Sequence, residues 1–136
     1  MNNPLPNISA DWFKDWFDEW YLKVYKHRDQ HEAAEFIERW LIWDELSDGD
    51  RCLDLGCGTG RYIGKLVQRG LEVLGLDLSM ALLRVSLNKP EQMVNRNFVR
   101  ADIRMLPTNL QFSLIVSLFT SFGYFKTDEE HLNLMK

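Results

Sequence analysis

The 136-residue chain carries 16 Lys+Arg against 20 Asp+Glu, a formal net charge of −4, with 46% hydrophobic and 26% charged residues. That length suits one domain, the apolar share is too high for a disordered chain, and no basic excess is available to displace counterions from nucleic acid. The sequence shows neither a charged-then-apolar leader nor the ~20-residue apolar run of a bilayer span, so nucleic acid and membrane are excluded as partners and a cytoplasmic protein is expected.

From Trp12 to Tyr25 aromatic residues recur three and four apart (Trp12, Phe13, Trp16, Phe17, Trp20, Tyr21, Tyr25). This spacing predicts one helix with a broad apolar face, N-capped by Ser9 with Asp11 in its first turn. A second helix is predicted from the capping-box pattern Asp29-Gln-His-Glu32 through Ala33, Phe36, Ile37, Trp40 and Leu41 to about Leu46, ended by the turn Ser47-Asp48-Gly49-Asp50. Beyond Asp50 short apolar runs alternate with helical ones. Strands are expected at 51–55, 72–77, 97–101 and 112–119, with helices at 60–69 and 79–88. A last helix follows the capping-box pattern Thr127-Asp-Glu-Glu130, with Leu132, Leu134 and Met135 behind it.

The β-α-β-α-β order predicts a parallel sheet with helices on both faces, an α/β fold over 51–136 with a helical extension over 1–50. The unbroken apolar run 112–119 (FSLIVSLF) reads as a strand buried on both sides. Cys52 and Cys57 flank a predicted strand end. Extended chain would hold their Cα atoms about 16 Å apart, beyond the ~7 Å a disulfide can bridge, so both are read as reduced. His27, His31 and His131 have no metal-ligand spacing and read as solvated helix residues.

The chemistry is concentrated in Leu53-Asp54-Leu55-Gly56-Cys57-Gly58-Thr59-Gly60-Arg61, where the first predicted strand turns into a helix. Three glycines at alternate positions permit a tight turn and let a ligand approach the backbone. The following helix start offers N–H groups to an anionic or carboxylate-bearing ligand. Asp77, ending the second predicted strand, stands where a carboxylate accepts both hydroxyls of a ribose. A nucleoside-containing ligand is predicted. The spacing is G-x-G-x-G, with Arg61 where a dinucleotide fingerprint needs its third glycine, and no P-loop is present.

With these residues in place, LDLGCGTG resembles the first motif of the class I S-adenosylmethionine-dependent methyltransferases, and the resemblance runs through residues 51–125. LGLDLS, VRADIRMLP and FSLIVSLFTSFGYF follow in the family's order, and the resemblance implies that the last of these borders the methionine end and the acceptor pocket. The resemblance implies a Rossmann-like fold, S-adenosylmethionine as cofactor and methyl transfer to a small-molecule acceptor. It implies that Gly56, Gly58 and Gly60 line the methionyl part together with Cys57, and that Asp54 orders the loop and meets the amino group through water. It further implies that Asp77, followed by Leu78, binds ribose, that Asp102 and Ile103 flank adenine, and that Leu118 and Phe119 lie near the sulfonium. The segment WFDEWYLKVYKHR and the run FTSFGYF also look like a group of small bacterial methyltransferases whose substrates are mostly unassigned, and residues 1–50 are read as a helical extension or lid.

Plainer roles stand beside these. Asp102 is equally an ordinary cap or turn residue. Trp12, Phe13, Phe17 and Trp20 read as core, whereas Tyr21, Tyr25 and Arg28 read either as hydrogen-bonded surface or as closing over the cofactor carboxylate. Cys57 reads as a small filler rather than a nucleophile. No general base declares itself, and the catalytic residues are unknown. Two other readings remain: a non-catalytic cofactor-binding or assembly module, and a nicotinamide-dependent oxidoreductase, which the glycine spacing disfavours. The family orders its strands 3-2-1-4-5-7-6, and four are predicted here. The fourth then becomes an apolar edge, which implies a piece of a longer enzyme or a homodimer formed through that edge.

Overall fold

The computed structural model describes residues 12–17, 19–25, 30–41, 43–88, 96–106, 109–118 and 121–135. Its elements are α1 (Phe13–Trp16), α2 (Glu19–Val24), α3 (Gln30–Trp40), a 3-10 turn (Trp43–Glu45), β1 (Arg51–Leu55), α4 (Ile63–Gln68), β2 (Glu72–Asp77), α5 (Met80–Leu87), β3 (Arg96–Arg100), β4 (Leu114–Val116) and α6 (Asp128–Leu134). The four strands form one sheet in the order β3-β2-β1-β4, and every pairing is parallel. Cys52 faces Val73 and Leu114 across the ladder, and Leu76 faces Val99.

Alternation along the strands sorts the core into two layers. Cys52 and Val73 join Ile37, Ile63, Leu66 and Leu83 on one side, while Leu53, Leu55 and Leu76 point to the other, where Phe112, Ile103 and Leu134 pack. Asp54 shares the parity of Cys52, and Asp77 that of Val73 and Gly75. The pleat therefore sends both acids toward the same layer at the C-terminal ends of neighbouring central strands. Helix α3 lies against α4 and α2 against α5. Glu38 of α3 fixes the first contact: it pairs with Lys65 at 2.7 Å and with Arg69, and these cations hold its carboxyl near a pKa of about 2.

Several expectations need correction. The aromatic stretch is two short helices, not one. Phe17 leaves the helical region (φ −86°, ψ 61°), and its carbonyl accepts from the hydroxyl of Ser79, which also caps α5 by accepting from Leu82 N–H. That tertiary bond replaces a helical one. Ser9, Asp11 and the Asp29 end of the second capping box lie outside the described residues. Helix α3 stops at Trp40, with a separate 3-10 turn before Leu46. Helix α4 starts at Ile63 rather than Gly60, because residues 58–62 are used in turns.

The fourth strand is shorter than expected, and Ile115 is 56% exposed, so β4 is not covered on both sides. After Val116 the chain leaves the ladder, and Ser121 comes over the glycine loop, its hydroxyl donating to Gly56 carbonyl at 3.2 Å. The capping box of α6 is formed as expected: Glu130 N–H donates to Thr127 Oγ1, and Glu130 Oε2 accepts from Thr127 N–H. Behind it, Leu134 packs on the core while Leu132 and Met135 are exposed. Cys52 and Cys57 are buried free thiols. Among the described residues no helix is long and apolar enough to cross a membrane, and no cluster of His, Cys, Asp or Glu could hold a metal ion.

Candidate cofactor site

The turn after β1 is built by backbone bonds to β2. Gly56 and Cys57 N–H groups both donate to Leu76 carbonyl, at 2.7 and 3.0 Å, which folds the loop over the end of the sheet. Gly56 and Gly58 take positive φ (73° and 55°), where any Cβ is strained. Their surroundings differ. A Cβ on Gly56 would sit 2.3 Å from Ser121 Oγ, whereas one on Gly58 would meet nothing nearer than Leu82 Cδ1 at 3.8 Å. Gly60 (φ 67°) is buried in the same turn.

The turn opens onto a cavity of about 350 Å³. Asp54, 1% exposed, reaches this cavity from β1, and its Oδ2 has no hydrogen-bond partner among the described residues. Burial, with the neighbouring charge of Asp77, raises its pKa to about 7. Asp77 is nearly as buried at 8% exposure but is well bonded: Oδ2 accepts from Gly58 N–H and Oδ1 from Ser79 N–H, each at 2.8 Å. Burial still raises its pKa, with the amides of Ser79, Gly58 and Leu78 pulling the other way. The thiol of Cys57 is held well above its ordinary pKa by burial and the two carboxylates, and that of Cys52 is pushed up to about 12. Neither thiol has the character of a nucleophile.

Asp54, Gly56, Cys57, Gly58, Asp77, Leu78, Asp102, Ile103, Leu118 and Tyr25 are all brought to the cavity wall. Gly60, expected at the methionyl part, stays within the turn and is not among the residues that line the cavity, while Arg28 and Phe119 lie outside the described residues. Asp102, the least specific of the sequence expectations, does face the cavity, and it is also ion-paired with Arg104.

The rest of the lining is aromatic: Tyr21, Tyr25, Tyr124 and Phe125 stand where the sequence reading expects ligand-facing groups, whereas Phe13 and Phe17 were expected only in the core. Trp20, read as core too, is 69% exposed, whereas Phe13 is buried at 8% exposure and also lines the cavity, together with Phe17, Tyr21, Tyr124 and Phe125. Their rings meet edge to face: Phe17 lies 4.9 Å from Tyr21 and 5.5 Å from Tyr124, and Trp12 lies 5.3 Å from Tyr124. For Phe13 and Phe17 the signal is the helical recurrence of aromatics at 12–25, and it does not separate a ring buried for packing from one that faces a ligand.

A model described as a methyltransferase domain matches residues 52–136. YqeM of Bacillus subtilis (strain 168) is 32% identical over 102 residues, covering 73% of this chain and 41% of that protein. The dTDP-3-amino-3,4,6-trideoxy-alpha-D-glucopyranose N,N-dimethyltransferase of Streptomyces venezuelae is 29% identical over 99 residues, covering 73% and 40%. Among solved structures, an S-adenosylmethionine-dependent methyltransferase from Clostridium acetobutylicum ATCC 824 superposes with a TM-score of 0.68 at 25% identity, over 91% of this chain and 49% of that one. The chain spans about two fifths of the length of the curated relatives it matches. The parallel β3-β2-β1-β4 sheet, the glycine turn and the matched domain agree, and the chain belongs to the class I S-adenosylmethionine-dependent methyltransferase family.

Proposed function

We propose that this chain binds S-adenosylmethionine in the cavity at the ends of β1 and β2 and supports methyl transfer to a small-molecule acceptor. The observation that carries the reading is Asp54: a carboxylate with an unpartnered oxygen, buried at a cavity wall, is costly unless a cationic or donor group of a ligand completes it. The cofactor's amino group, directly or through water, is such a donor. Gly56, Cys57 and Gly58 would border its methionyl part, Asp77 and Leu78 its ribose, and Asp102 and Ile103 its adenine. Leu118 and the rings of Tyr21, Tyr25 and Tyr124 would border the sulfonium end, with residues 1–50 contributing a lid through α1 and α2. Bound there, the cofactor supplies a methyl group activated by a positively charged sulfur.

The chain's own residues do the rest by position. Aromatic faces favour a cation beside them, and the ring wall excludes water from the reacting end. Neighbours that methylate an amino sugar, such as the Streptomyces venezuelae enzyme, support a small-molecule acceptor. Calorimetry with S-adenosylmethionine and S-adenosylhomocysteine tests binding. Micromolar or tighter affinity that falls in Asp77→Ala is expected; no binding by folded protein, or an unchanged affinity in that variant, overturns it. A labelled-methyl screen over amines and alcohols then separates turnover from a non-catalytic binding module. The exposed Ile115 on the edge strand β4 supports pairing with a second copy of the chain, and light scattering reads this directly.

A further inference from the structure

Asp102, which lines the same cavity as Asp54, has both carboxylate oxygens bonded by Arg104. Its Oδ1 accepts from Arg104 backbone N–H at 3.0 Å and from Arg104 Nε at 2.9 Å, and its Oδ2 accepts from Nη2 at 2.6 Å. The Nε/Nη2 edge of a guanidinium is planar and spans both oxygens of a carboxylate, so the grip fixes the plane of Asp102 as well as its place. Arg104 is in turn immobilised. Its Nη1 donates to Glu130 Oε1 on α6 at 3.0 Å, and Glu130 is held by Lys126 and Thr127 N–H groups on its other oxygen. The guanidinium carbon also lies 5.0 Å from the Phe125 ring centre and 5.9 Å from that of Phe13. A long, rotamer-rich side chain is thus pinned by an acid on either side and by two rings.

We propose that Arg104 is a positioning residue for base selection: by fixing the Asp102 carboxylate at the cavity wall, it makes the site select a purine bearing an exocyclic amino group over its oxo counterpart. The proposal rests on reading the cavity as the S-adenosylmethionine site. Adenine offers a carboxylate an N–H donor. Hypoxanthine offers a carbonyl oxygen at that position, which a carboxylate repels, and an N–H at the adjoining ring nitrogen. A carboxylate free to rotate can turn to that second donor and tolerate both bases. One locked in plane cannot, so discrimination depends on the lock and not on Asp102 alone. Lysine at position 104 would keep the charge but present a point contact in place of the fork.

The test is titration calorimetry of S-adenosylhomocysteine and S-inosylhomocysteine against the wild type, Arg104→Gln, Arg104→Lys and Glu130→Gln. The wild type should prefer the adenosyl ligand by at least about tenfold, the size of one hydrogen bond to a charged group. Arg104→Gln should reduce the ratio below about threefold, mainly by weakening the adenosyl ligand. Arg104→Lys should do the same, and it carries the test if the glutamine variant does not fold. Glu130→Gln removes one of the two acids that pin Arg104 but leaves its bidentate grip on Asp102, so its ratio should lie between those of the wild type and Arg104→Gln; a ratio below that of Arg104→Gln would place the selectivity on Glu130 and overturns the proposal. A purely structural Arg104 would weaken both ligands by one factor and leave the ratio intact; that outcome, or a wild type with no base preference, overturns the proposal. If folded wild type binds neither ligand, the cofactor reading itself falls and this proposal with it.

Discussion

The two walls of the cavity are held together by different forces. The wall formed by β1, β2 and their following turns hangs on backbone bonds: Gly56, Cys57 and Gly58 N–H groups are all committed, two to Leu76 carbonyl and one to Asp77. The wall formed by α1, α2 and residues 121–125 rests mainly on ring contacts, with Tyr124 touching Trp12, Phe13 and Phe17, beside the Ser79–Phe17 and Ser121–Gly56 hydrogen bonds. Backbone bonds of fixed length tolerate little displacement, whereas ring contacts of about 0.5–1.5 kcal/mol each can be exchanged for one another. The first wall suits groups whose position must not vary, and the second suits closure over a ligand.

The sharpest way to break this comparison is at Gly56. Gly56→Ala combines a positive φ with a Cβ thrust into the Ser121 side chain. We expect loss of about 2–4 kcal/mol of stability by urea unfolding and no measurable S-adenosylhomocysteine binding. Gly58→Ala has the φ penalty without the collision, so about 1 kcal/mol is expected. Equal losses in the two variants would show that conformation alone, and not the Ser121 contact, governs the loop.

Asp54 comes next, through pH. Its folded pKa of about 7 lies above the unfolded carboxylate value of 3.8, so the folded state binds the extra proton. Stability contributed by this group is therefore full below about pH 4 and is lost as pH rises to 7, by roughly 4 kcal/mol. Ligand binding runs the opposite way, because an ammonium group prefers the ionised carboxylate: affinity for S-adenosylhomocysteine should rise between pH 5.5 and 7. Asp54→Asn should flatten both profiles, with urea midpoints and calorimetry as readouts; profiles unchanged in this variant would place the titration elsewhere.

A smaller effect is expected on the aromatic side. Tyr124→Ala should cost about 2 kcal/mol, since a half-buried ring and three ring contacts are lost, and it should weaken ligand binding only a few-fold. Smallest of all is Glu38→Gln on the α3–α4 contact, far from the cavity. Ligand affinity should stay within about twofold. The depressed pKa of Glu38 places its contribution to stability above pH 4.5, to be lost as pH falls toward 2, so the variant and the wild type should converge in acid unfolding curves.

The backbone-built wall was legible before folding because its constraints are local. Gly56, Gly58 and Asp77 announce themselves by spacing, since a turn that needs positive φ must use glycine and a strand end is found by alternation. Strand β2 was placed to the residue for the same reason. The aromatic wall is legible only in part, at Tyr21, Tyr25 and the run ending in Phe125. Phe13 and Phe17 obey helical spacing whether they face core or ligand, and the break at Phe17 depends on a hydroxyl 62 positions away in sequence, on Ser79. The shortening of β4 has a similar origin, since nothing within FSLIVSLF signals that Ser121 will be drawn onto Gly56 carbonyl. Tertiary bonds overrode local pattern in both places.

The shared parity of Asp54 and Asp77 constrains how this scaffold can change over evolutionary time. Deleting Leu55 while the glycine turn kept its bonds to β2 would move Asp54 one step along the pleat and turn it toward the opposite layer, among Leu76 and Phe112. The step between Asp54 and the glycine turn thus carries a parity that an odd insertion or deletion breaks, whereas the segments bearing the rings carry no such arithmetic and can drift.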